Sequence, residues 1–265
     1  MATYLDAILA VHRARAADDD RDLEWLREQA LSTPEPRDFR GAIVESQGLA
    51  VIAEVKRRSP SKGDLHPGLD PAAIAGSYAK GGATCLSVLT DFEHFGGTAS
   101  DLGSAREASS LPVLRKDFTV SMLDVCDARL MGADAVLLIV AALDDAELAA
   151  YARFAADLGL AALVEVHDEA EVERALAIEA DLIGVNQRDL VTFEVDSERA
   201  MRLAPTIPPD VVRVAESGIA GPDDARPLAD AGYDAVLVGE SLVIADDPQA
   251  AVAALRSIPA RPLEG

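Results

Sequence analysis

Cysteine is nearly missing from this chain. Only Cys85 and Cys126 are present, and their positions fit no metal-binding or redox spacing. That argues against a disulfide scaffold and a thiol-based site, leaves two core thiols as the expectation, and points to the cytoplasm. Aromatic residues make up 4% of the chain, so its core has to be packed from Val, Leu, Ile and Ala. No apolar run approaches the ~18 residues a membrane helix needs. The N-terminal stretch MATYLDAILAVHRARAADDD has no basic start and meets Asp6 early, which reads as an amphipathic helix rather than an export signal. Positive charge is scarce as well, with 24 Lys and Arg against 46 Asp and Glu, a net charge of −22. Nucleic acid and anionic membranes both select a basic face, so neither is expected as a partner.

One stretch runs against this acidity. LAVIAEVKRRSPSKG places Lys56, Arg57, Arg58 and Lys62 directly behind an apolar run. From that point the chain alternates. Apolar runs such as LAVIAEV, CLSVL, DAVLLIV and DAVLV are followed by segments that open on Asp, Ser or Thr and often close on Gly, which is strand followed by capped helix. Eight such units follow one another, and near-continuous Val, Leu and Ile suits parallel strands covered on both sides. The count and the length (a barrel of this kind takes about 250 residues) predict a single (β/α)8 TIM barrel domain over residues 1–265. A doubly wound open sheet is the structural rival. Residues 1–48 fall outside the repeat and read as an N-terminal helical extension of one or two helices, YLDAILAVHRARAA and DLEWLREQAL, packed on the barrel or over one end.

In such a barrel the chemistry sits at the C-terminal ends of the strands. Those ends carry Glu54 and Lys56, Asp91, Arg115 to Phe118, Glu165 and His167, Asn186 and Arg188, Glu216 and Ser217, and Gly239 to Ser241. Residues two apart on a strand share a face, so Glu54 goes with Lys56 and Asn186 with Arg188. The plain alternative is charge that simply touches solvent, but a buried charge needs a partner or a task. Lysine occurs only at positions 56, 62, 80 and 116, and two of these are strand ends. Arginine is not deprotonated in proteins, whereas lysine can donate a proton, so Lys56 and Lys116 are candidates for proton chemistry. Lys80, at a helix end, offers its charge to the helix dipole instead. Gly218 and Gly239, after the last two strands, would let backbone approach a phosphate. GESL lacks the closing glycine of a nucleophile elbow. His66, His94 and His167 show no metal-ligand spacing. A lysine Schiff-base aldolase and a catalytically silent phosphate-sugar binder remain open on these residues.

The ordered set IAEVKRRSPSKG, LRKDF, LLIVA, LVEVH, GVNQRDL, AESGI and LVGESL resembles the indole-3-glycerol phosphate synthase family. The resemblance implies a cofactor-free, metal-free lyase of tryptophan biosynthesis. Such an enzyme turns 1-(2-carboxyphenylamino)-1-deoxyribulose 5-phosphate into indole-3-glycerol phosphate, carbon dioxide and water. It implies Lys116 as general acid and Lys56 as holder of the substrate carboxylate. Glu165 and Glu54 are implied for proton removal and dehydration, with Asn186, Arg188 and Glu216 positioning substrate and lysines. Ser59, Ser217, Gly218, Gly239 and the Glu240 backbone would take the phosphate, and Phe95, Phe118, Leu137 and Leu190 would line a slot for the aromatic ring. Lys62 and Arg58 would ride on a loop that closes over the ligand. Gln187 should point outward, and the Glu240 side chain should turn away from the phosphate. The expected partner is the phosphorylated small molecule, with transient contact to other tryptophan-pathway enzymes. A cationic mouth on an acidic body would then draw in a substrate that carries a carboxylate and a phosphate.

Overall fold

The computed structural model describes residues 4–60 and 62–259; motif residue Ser61 and both termini lie outside the described residues. Eight parallel strands close into a barrel in chain order. They are β1 Ala50–Val55, β2 Cys85–Leu89, β3 Val113–Lys116, β4 Ala135–Ile139, β5 Ala161–Val166, β6 Leu182–Asn186, β7 Val212–Glu216 and β8 Ala235–Val238. Closure is made by β8 pairing with β1, Ala50 opposite Ala235 and Ala53 opposite Val238. The open-sheet alternative is thereby removed. Five of the strands are buried along their whole length, as strands covered by side chains inside and helices outside must be.

The helices begin where the capping residues predict. Asp70, Ser121, Asp168 and Asp247 each accept a hydrogen bond from a backbone N–H of the turn they open. Thr98 with Asp101, and Asp144 with Glu147, form reciprocal capping boxes. Each such side chain satisfies donors that the helix leaves unpaired.

Among its described residues the N-terminal extension contains three helices rather than the one or two expected: α1 Tyr4–Asp18, α2 Leu23–Ser32 and the short α3 Phe39–Val44. Phe39 is 1% exposed and its carbonyl lies 3.6 Å from the Cys85 sulfur, so α3 plugs the barrel near the start of β2. A six-residue segment interrupted by Gly41 has too little periodicity to announce itself. Helix α2 packs on the helix Met122–Leu130. Both cysteines are free and buried, and burial pushes the Cys126 thiol up to about 11.

Strand register decides what meets at the mouth. Leu89 pairs with Lys116, Ile139 with Glu165, Glu165 with Gly184, and Asn186 with Glu216. The chain's ionisable strand ends are thus brought to one level.

Candidate active site

A cavity of about 590 Å³ opens at that end of the barrel, within the usual range for a small-molecule site. The sixteen residues expected from the sequence to be catalytic or substrate-binding lie on its wall: Glu54, Lys56, Ser59, Phe95, Lys116, Phe118, Leu137, Glu165, Asn186, Arg188, Leu190, Glu216, Ser217, Gly218, Gly239 and Glu240. They come from all eight strands or the loops that follow them.

The floor is a web of charge. Lys116 Nζ lies 3.0 Å from Glu165 Oε2 and 3.4 Å from Glu216 Oε2. Lys56 Nζ lies 2.6 Å from Glu54 Oε1, the same-face pair that strand parity predicts. Asn186 Nδ2 donates to Glu165 Oε1 at 3.1 Å, and Ser217 Oγ donates to Asn186 Oδ1 at 2.8 Å. Burial alone would lower the Lys116 ammonium, but Glu165, Glu216 and Glu54 raise it above its ordinary value. Lys116 therefore stays protonated. The two carboxylates beside it diverge. Burial works against ionising Glu165, yet Lys116, His167 and Asn186 bring it below the usual range. Burial, with Glu165 and Glu54 nearby, pushes Glu216 up to about 8 against the pull of Lys116. One carboxylate is ionised and its neighbour holds a proton near neutrality, a division that environment alone creates.

Two glycines leave room for these side chains as they stand. A side chain at Gly184 would occupy the place taken by the Glu216 carboxylate, and one at Gly239 would lie 3.0 Å from Lys56 Nζ and nearer still to Glu54. At the rim, Ser217 (φ 67°) and Gly218 (φ 73°) adopt the left-handed region in succession. A non-glycine residue rarely sits there unless its surroundings hold it. Gln187 supplies that hold. It faces away from the cavity, as parity predicts, but it is 2% exposed, and its Nε2 donates to the Ser217 carbonyl at 2.8 Å. The outward side chain thus braces the backbone of the turn.

The loop after β1 forms a small hairpin, Arg58–Ser59 against Gly63–Asp64. Arg58 is not a free cation: it donates to the Phe92 and Glu93 carbonyls, and Arg57 pairs with Asp101. The Glu240 side chain lies 3.7 Å from Lys62 Nζ.

Sequence reasoning missed part of the mouth. Tyr4, Leu5 and Ile8 of α1 line the cavity, and Tyr4 meets Phe193 edge-on with ring centroids 4.8 Å apart. The spacing of Leu5 and Ile8, three apart on an amphipathic helix, was the available signal. Nor is His94 isolated. His12 Nε2 and His94 Nδ1 each lie 2.9 Å from Asp91 Oδ2, pinning α1 to the loop after β2. Their ligand atoms are within 4.8 Å of one another, a spacing that could hold a metal ion, while hydrogen bonds to Asp91 account for both rings as they stand.

Comparison with known proteins places the chain in a family. The family model described as indole-3-glycerol phosphate synthase matches residues 5–255. An indole-3-glycerol phosphate synthase from Nocardioides is 52% identical over 94% of this chain and 96% of the relative. One from Mycolicibacterium vanbaalenii is 48% identical over 98% of this chain and 96% of its own. Among solved structures, a 3-hexulose-6-phosphate synthase superposes with a TM-score of 0.62 at 16% identity, covering 79% of this chain and 99% of that one; that likeness concerns the fold alone. The chain belongs to the indole-3-glycerol phosphate synthase family.

Proposed function

We propose that this chain, as a member of that family, closes the indole ring of 1-(2-carboxyphenylamino)-1-deoxyribulose 5-phosphate with loss of carbon dioxide and water. The observation that carries the assignment is the Lys116 ammonium held between Glu165 and Glu216 on the cavity floor. In the first step the ring carbon bearing the carboxylate attacks the ketone carbon. Negative charge builds on the ketone oxygen, and Lys116, buried and protonated, donates to it. Departure of carbon dioxide restores the aromatic ring. Loss of the new hydroxyl as water and of a proton from the ring system then yields the indole. Glu165 is the base and Glu216 the protonated partner at neutral pH, consistent with the opposite directions of their shifts.

Lys56 holds the substrate carboxylate until it leaves, with Glu54 fixing the lysine. Phe95, Phe118, Leu137 and Leu190 flank the aromatic ring, and Leu5 and Ile8 of α1 close the slot from above. Ser59, the Ser217–Gly218 turn and the Gly239–Glu240 backbone receive the phosphate. The Glu240 carboxylate turns toward Lys62, which suits a main-chain contact. Residues 1–265 act as one catalytic unit, with 1–48 as its extension, in the cytoplasm and in transient contact with other tryptophan-pathway enzymes. Among the described residues no helix is long and apolar enough to cross a membrane.

The test is turnover. Purified protein given the carboxyphenylamino substrate should produce the indole chromophore and one carbon dioxide per product. Binding of substrate with no carbon dioxide released would overturn the assignment. So would a borohydride-stable adduct on Lys56 or Lys116, which belongs to a Schiff-base aldolase.

A further inference from the structure

Behind Glu165, outside the cavity wall, stands a second pair of titratable groups with no role so far. His167 follows β5, and Glu171 lies in the first turn of the helix Glu169–Ala177. Glu171 Oε2 lies 3.0 Å from His167 Nδ1 and accepts the His167 backbone N–H at 2.8 Å. An ionised carboxylate can only accept, so the proton of this contact resides on Nδ1. The other ring nitrogen, Nε2, is buried and has no hydrogen-bond partner among the described residues. Its nearest acidic neighbour is Glu165 Oε1, 3.5 Å away. A bare lone pair there would face a carboxylate oxygen; a proton there would face an acceptor.

We propose that His167 is a positioning residue for the reaction, locked by Glu171 so that a protonated Nε2 is aimed at Glu165 Oε1 and holds that carboxylate ionised and oriented toward Lys116. Its charge, 3.5 Å from Oε1, adds to the hydrogen bonds that Asn186 gives Oε1 and Lys116 gives Oε2. The groups facing the imidazole favour its charged form on balance. Burial works against the cation, but the Glu171 hydrogen bond and the charges of Glu165 and Glu171 outweigh it, with Arg199 opposing, and its pKa is raised. His167 is not part of the cavity lining, so it acts through Glu165 and touches no substrate.

The proposal rests on Glu165 as the base, and three variants separate the two claims. In His167→Gln and Glu171→Gln the cation beside Glu165 is removed or weakened, which makes Glu165 easier to protonate. The acid limb of the kcat/KM profile should then move to higher pH in both. kcat/KM should fall about tenfold on the acid side, short of the ~10²–10⁴ that a positioned acid or base itself supplies, and recover toward alkaline pH. Histidine-¹⁵N NMR should show His167, assigned by its loss in His167→Gln, doubly protonated at neutral pH and titrating lower in Glu171→Gln. Glu171→Gln leaves the imidazole in place and carries the test if His167→Gln does not fold. An acid limb that stays at its wild-type position in the folded variants overturns the inference, whatever the loss of rate. So does a neutral His167 with one ring proton at neutral pH. Glu165→Gln decides the underlying role: near wild-type turnover there removes Glu165 as base, whereas lost turnover beside an unmoved limb sinks the His167 claim alone.

Discussion

Replacing Lys116 by methionine removes one ammonium and leaves a side chain of similar length. Lys116 Nζ lies 3.0 Å from Glu165 and 3.4 Å from Glu216. At an effective dielectric near 20, each ionised pair at such a distance is worth about 5 kcal/mol of Coulomb attraction, much of it offset by desolvation. Once the cation is gone, Glu165 and Glu216 are left side by side and buried, at 1% exposure each. Two effects follow. The chemical step loses its acid, so kcat should fall by ~10²–10⁴, about 3–5 kcal/mol of barrier. KM should change little, because Lys56 and the phosphate turn still bind substrate. Stability should become steeply pH-dependent. Near pH 6 the carboxylates share protons and the variant stays close to wild type, whereas near pH 9 an uncompensated buried charge costs about 3–5 kcal/mol. Steady-state kinetics and urea denaturation at the two pH values measure both. A kcat within tenfold of wild type would refute the acid role, and a stability loss equal at both pH values would refute the shared-charge account of the floor.

Glu216 is raised from its ordinary 4.5 to about 8, so between those values the native protein holds a proton that the unfolded chain releases. Wild-type stability should therefore decline as pH rises through this window. Glu216→Gln should flatten that decline in a urea-denaturation series, and an unchanged slope counts against it. Gly239→Ala places a methyl group 3.0 Å from Lys56 Nζ and on the Glu54 carboxylate; kcat/KM should fall at least ~10-fold as the pair swings aside. Gly68→Ala meets nothing within 4 Å and should leave kcat/KM unchanged. His12→Ala removes the tie from α1 to Asp91. It should cost about 1–2 kcal/mol in thermal denaturation and raise KM, because α1 no longer closes the slot.

The barrel was legible because its signals are local. Strand length, apolar continuity and capping residues are written within ten or so neighbouring positions, and eight repeats of them leave few topologies. The charged ends of the strands that line the cavity were legible too, since a Lys or Glu closing an apolar strand is conspicuous in the sequence itself. Distances across the barrel were not. Whether Lys116 meets Glu165 or Glu54 depends on strand stagger and closure, which no single strand encodes.

The amino-acid sequence alone determined that eight parallel strands would form and which of their ends carry charge, because periodicity and side-chain alternation act between near neighbours. Tertiary structure alone decided that Gln187 braces Ser217, that Gly184 makes room for Glu216, that α1 roofs the cavity and that His167 stands behind Glu165. Each of those contacts joins segments that meet only when the barrel closes, and the protonation states at its centre follow from the burial that closure imposes.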